Sequence, residues 1–144
     1  MSKPGLVPHW LYGLFMRIAE PRITRLMHFV IYVVSLLGGI SAWTTPPISI
    51  EGVLGSTLTT LWGAFLIVGG ICGAASVLQG VWWVERIAVL ALATGLSIYC
   101  VVVLGLEFTH PGTRQMQLTV IAVALISLLI RWVGIRRYAY DPER

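Results

Sequence analysis

Residues 57–78 read TLTTLWGAFLIVGGICGAASVL, an unbroken stretch without Asp, Glu, Lys or Arg. At ~1.5 Å rise per residue, a helix of about 20 residues covers the roughly 30 Å hydrocarbon core of a bilayer. Three further runs, 26–44, 87–106 and 115–130, are equally free of those charges. The last of them is expected to carry its span to about residue 132. The chain therefore reads as all-α: a four-transmembrane-helix bundle forming one integral membrane domain over residues 1–144, with spans about 26–44, 57–78, 87–106 and 115–132.

Composition agrees with this reading. The 144 residues are 57% apolar and 11% charged, with a mean hydropathy of +0.85. A soluble domain carries about 25% charged residues, and a water-soluble fold with so few charges could not cover its surface. Four spans take up over half the sequence, and no linker or low-complexity stretch sets off a second domain.

The formal charge of +4 is distributed as topology requires. Lys3, Arg17, Arg22 and Arg25 precede the first run, Arg86 lies between the second and third, and Arg131, Arg136, Arg137 and Arg144 end the sequence. Only Arg114 belongs to the alternate connections. By the positive-inside rule, both termini and the 79–86 connection are expected on the cytoplasmic side of the inner membrane. The basic stripe with interleaved aromatics that marks a nucleic-acid surface is absent, so no nucleic-acid partner is expected.

Ahead of the first span, Trp10, Leu11, Leu14, Phe15 and Ile18 recur at helical spacing, and Pro21 closes the segment. Residues 8–20 are too short to span. They read as an amphipathic helix lying in the interface, or alternatively as an arm packed on the bundle. Ile40-Ser41-Ala42 loosely resembles a signal cleavage site. The leading segment is long for a signal peptide, however, and the first run is expected to be retained.

Trp10, Arg17, Arg22, Arg25, Trp43, Trp82, Trp83, Arg86, Trp132, Arg136 and Arg137 are the expected interface anchors, since aromatic and basic side chains favour the headgroup level. Thr44-Thr45-Pro46-Pro47 should break the helix after span one. The apolar connection up to Ser56 is expected in the interface, or as an outward partial turn of the second helix. Gly69 with Gly73, Gly70 with Ala74, Gly38 with Ala42, Ser35 with Gly39 and Ala91 with Gly95 are small-xxx-small pairs. Gly38, Gly39, Gly69, Gly70, Gly73 and Gly95 are therefore the expected helix-packing positions, within one chain or between protomers.

Catalytic chemistry finds no support. Ionisable side chains lie at span ends or beyond them, and Glu85 is expected to open the third helix, where a carboxylate favours the positive end of the helix dipole. His9, His28 and His110 fall on separate elements, with no zinc-like spacing. There is no nucleophile elbow or phosphate loop. Cys72 and Cys100 sit at depths about 13 Å apart on opposed helices, too far for a disulfide. No catalytic, metal or cofactor-binding residue is expected, and no cofactor.

Three features together suggest a family. They are the basic amphipathic start, the run Gly80-Val81-Trp82-Trp83-Val84-Glu85-Arg86, and the Arg-rich end closing on Tyr140-Asp141-Pro142. With them the chain resembles small four-span membrane proteins encoded by phages of actinobacteria, some of which are holins. The resemblance implies a non-enzymatic protein that self-associates in the inner membrane and opens lesions for a lytic enzyme. The implied partners are the lipid bilayer and further copies of the chain. The aromatic cytoplasmic face admits a second expectation, an accessory or superinfection-exclusion protein that binds another membrane protein.

Overall fold

A computed structural model describes residues 22–46, 48–109 and 113–138, apart from the side chains of 49, 50, 53, 137 and 138. The expected interfacial helix 8–20, with Trp10 and Arg17, lies outside the described residues. Four helices follow one another: α1 (Arg22–Thr44), α2 (Ile48–Gln79), α3 (Trp82–Thr109) and α4 (Gln115–Tyr138). All four contain segments long and apolar enough to cross a membrane.

The helices run past several of the expected span ends, most consequentially at two connections. The 79–86 connection shrinks to Gly80 and Val81, because α3 already begins at Trp82. Gly80 makes this turn possible with a φ of 77°, a left-handed conformation that a residue with a Cβ rarely adopts. The N–H groups of Gly80 and Val81 both donate to the carbonyl of Ser76, the hydrogen-bonding pattern of a glycine C-cap. Arg25 of α1 adds a guanidinium bond to the nearby Val77 carbonyl. At the other end, the connection expected to run to Ser56 is helical from Ile48. That helix is interrupted at Gly55 (φ 76°, ψ 165°), so the expected partial turn is a separate short helical segment.

The first three helices pack antiparallel, each on the next, through their small residues. A Cβ built on Gly70 would fall 2.8 Å from the Leu36 Cα, and one on Gly39 would fall 2.8 Å from the Ile67 backbone nitrogen. The ring of Tyr32 lies directly over Gly73. On the opposite side of α2, Gly69 faces Leu92 and Ala88, while Gly95 of α3 faces Leu66. These approaches bring α1, α2 and α3 together with Tyr32, Val77, Ala88 and Leu92 at the centre of the buried cluster. Gly38 lies elsewhere: a Cβ there meets nothing within 4 Å, so this expected packing position takes no part in the contacts within the chain.

Trp62 locks the α2–α3 seam. Its indole N–H donates to the Gly95 carbonyl at 3.0 Å, and its ring stacks on Tyr99 at 5.4 Å. Trp62→Phe keeps an aromatic ring in this buried position but removes the donor. The expected loss is about 1 kcal/mol, the net worth of one hydrogen bond, measured by thermal unfolding in detergent micelles.

The outer helices are much less enclosed. Among the described residues, 17% of the most apolar stretch of both α1 and α4 is buried, against 39% for α2 and α3. The main contact of α4 is with α3, through apolar side chains including Leu128 and Trp132. Polar contacts fix it near both ends. Near its start, Gln117 donates to the Tyr99 hydroxyl, and Arg114, just before the helix, bonds Glu107 and the Leu106 carbonyl. Arg131 makes the link at the other end.

Candidate functional site: a charged and aromatic end of the bundle

Antiparallel packing brings the start of α3 beside the last turns of α4. Glu85 lies three residues into α3, and Arg131 lies seven residues before the end of α4. Both Nε and Nη2 of Arg131 reach the same Glu85 oxygen at 2.6 Å. From α1, the Tyr32 hydroxyl donates to that oxygen at 3.2 Å. Glu85 is 3% exposed, Tyr32 is fully buried, and the Arg131 side chain is 13% exposed.

This adds a second role to the one expected for Glu85. It does occupy the first turn of α3, where the helix dipole favours a carboxylate. Its side chain, however, turns inward and joins three helices. Burying a carboxylate is costly unless it is paired and hydrogen-bonded, and Arg131 and Tyr32 supply both conditions. The third expected span, 87–106, starts just after Glu85, and the fourth ends beside Arg131 at about residue 132, whereas the helices extend past both residues.

Arg86, the next residue, points elsewhere, because successive helical residues are about 100° apart. Its guanidinium carbon lies 5.0 Å from the Trp82 ring, 6.0 Å from Trp83 and 5.8 Å from Trp132. The Trp82 and Trp83 rings are themselves 4.3 Å apart. Cation–π contacts of this kind contribute about 0.5–2 kcal/mol, depending on desolvation. The Arg86 Nε is enclosed without a hydrogen-bond partner.

The other expected anchors occupy positions around the two ends. Trp83 is 64% exposed at the start of α3 and Trp43 is 53% exposed at the end of α1. Arg22 and Arg25 are half-buried in the first turn of α1, and Arg136 is exposed near the end of α4. Arg137 belongs to α4, but its side chain lies outside the described residues. Cys72 and Cys100 are both free thiols. Among the described residues, no three His, Cys, Asp or Glu side chains are grouped as metal ligands would be.

Tyr32 and Arg131 are not among the site residues expected from sequence. A signal for the ion pair was present, because alternating spans put the start of the third helix and the end of the fourth at one membrane face. An acid and a base on antiparallel neighbours at matched depth are natural partners. Nothing in the local sequence marks Tyr32, a lone phenol in an apolar run.

Among the described residues, fold and site define a class: an all-α bundle of four helices long and apolar enough to cross a membrane, with a buried ion pair and an arginine–tryptophan cluster at one end. Comparisons with family models, curated proteins and solved structures return no match.

Proposed function

We propose that this chain is a non-enzymatic protein of the cytoplasmic membrane, with both termini inside, that self-associates and permeabilises the membrane as holins do in phage lysis. The observation that carries this reading is the bareness of the two outer helices. Val30, Val34, Leu37 and Ile40 on α1 are exposed, as are Val120, Val123, Ile126 and Leu129 on α4. Gly38 opens a small-residue position on that bare α1 surface, and positions of this kind allow another helix to approach closely in lipid. The orientation rests on charge: Arg22, Arg25, Arg86, Arg131 and Arg136 cluster at one end of the bundle, while Arg114 sits at the other with Glu51 and Glu107. Cytoplasmic segments carry such an excess of arginine.

The test is inducible expression in a bacterial host together with a cytoplasmic lytic enzyme, following membrane potential and enzyme release. The expected result is an abrupt collapse of potential at a threshold protein level, accompanied by release. Continued growth with the protein confirmed in the membrane would overturn the lytic role in that host and leave an accessory role, pursued through co-purification of a membrane-protein partner.

A further inference from the structure

We propose that Arg86, with the indoles of Trp82, Trp83 and Trp132, binds the phosphate of an anionic phospholipid headgroup. The inference is independent of lytic activity. It begins with a cation that has no anionic partner among the described residues. The adjacent carboxylate, Glu85, is committed to Arg131 and Tyr32, and among the described residues no acid or hydrogen-bond acceptor meets the Arg86 guanidinium. A guanidinium carries five N–H donors in a planar fork that matches a phosphate. Its Nε is closed off by the surrounding protein, so the terminal nitrogens are the ones available to a ligand.

The indoles fix both the place and the kind of anion. Three rings surround the guanidinium and limit the directions in which the side chain can turn. Trp83 and Val81 are exposed beside it, and indoles at a span end favour headgroup depth. A phosphate attached to acyl chains would meet the arginine there while its glycerol and upper methylenes lie along the rings. A soluble anion would gain only the charge contact. Basic sites between helices at a membrane face are suited to anionic headgroups.

The experiment is native mass spectrometry of the full chain in detergent micelles, titrated separately with dioleoyl-phosphatidylglycerol, dioleoyl-phosphatidylcholine and sodium phosphate. Phosphatidylglycerol adducts should form at lower concentration than phosphatidylcholine adducts. Arg86→Gln should weaken phosphatidylglycerol binding about tenfold, the scale of a lost charge-assisted contact. Trp83→Ala, at an exposed position that leaves the core intact, should also weaken it. Arg136→Gln, which removes an exposed cation at the same end, should change it by less than about twofold, as expected for a screened surface charge. Equal binding of the two lipids would overturn the proposal, as would an unaffected Arg86→Gln variant. Equal losses in Arg86→Gln and Arg136→Gln would reduce the effect to diffuse charge, and sodium phosphate binding as tightly as phosphatidylglycerol would exclude the lipid as the ligand.

Discussion

Arg131→Leu will destabilise the folded protein by about 3–5 kcal/mol, the usual consequence of removing one partner from a buried ion pair. The Glu85 carboxylate, 3% exposed, would keep only the Tyr32 hydroxyl among the described side chains. Glu85→Leu should be comparably damaging, because it leaves the largely enclosed Arg131 guanidinium without its anion. The double variant Glu85→Leu/Arg131→Leu should recover most of the loss, since apolar side chains of similar volume often replace a buried pair without net destabilisation. Thermal unfolding of all four proteins in the same detergent, followed by circular dichroism, closes the cycle. Hydrogen exchange should rise first in α4, the helix that buries little of its apolar stretch and loses one of its two end fastenings. Should Arg131→Leu fall within about 1 kcal/mol of wild type, as exposed pairs do, the link would not be holding α4.

The ion pair also shows where sequence reading reaches its limit. Four apolar runs are visible because each must supply enough non-polar length to match a bilayer. That requirement acts on a single segment and is satisfied locally. Helix ends are less legible: α3 starts at Trp82 and α4 continues to Tyr138, since a helix keeps its backbone hydrogen bonds beyond the point where its side chains cease to be apolar. Glu85 sits in one such overhang and Arg131 beside the end of an expected span, where a charge reads as an interface residue. Whether such a charge faces water or another helix depends on rotation about the helix axis, and hydropathy carries no information about rotation in a helix apolar on all sides. Arg86 gives the same lesson in reverse. It is adjacent to Glu85 in sequence and reads as part of an acid–base pair, yet the helical rotation sends the two side chains to different partners.

Glycine rotation sets up the sharpest comparison between variants. Gly70 and Gly38 occupy equivalent small-xxx-small patterns, Gly70 with Ala74 and Gly38 with Ala42, but their surroundings are opposite. At Gly70 the nearest atoms to a new Cβ are the Cβ, Cα and nitrogen of Leu36, all within 2.8 Å. Two of these are backbone atoms, so no side-chain rotation relieves the overlap and α1 must move off α2. Gly70→Leu should therefore lose at least the ~1–3 kcal/mol typical of overpacking, with the upper end expected because backbone is involved. Gly69→Leu should be disruptive for a related reason, although its nearest neighbour is the Leu92 side chain, which has some freedom to shift. A Cβ at Gly38 meets nothing within 4 Å, and replacing a mid-helix glycine removes backbone freedom from the unfolded chain, so in Gly38→Leu monomer stability should hold or rise by about 0.5–1 kcal/mol. The same substitution closes an opening on the bare surface of α1. If copies of the chain meet there, Gly38→Leu will shift crosslinked oligomers toward monomer while unfolding stays at or above wild type, whereas Gly70→Leu will lower the unfolding temperature itself. Equal unfolding of the Gly70 and Gly38 variants would contradict the packing of α1 on α2, and an unchanged crosslinking pattern in Gly38→Leu would move any contact between copies away from this face of α1.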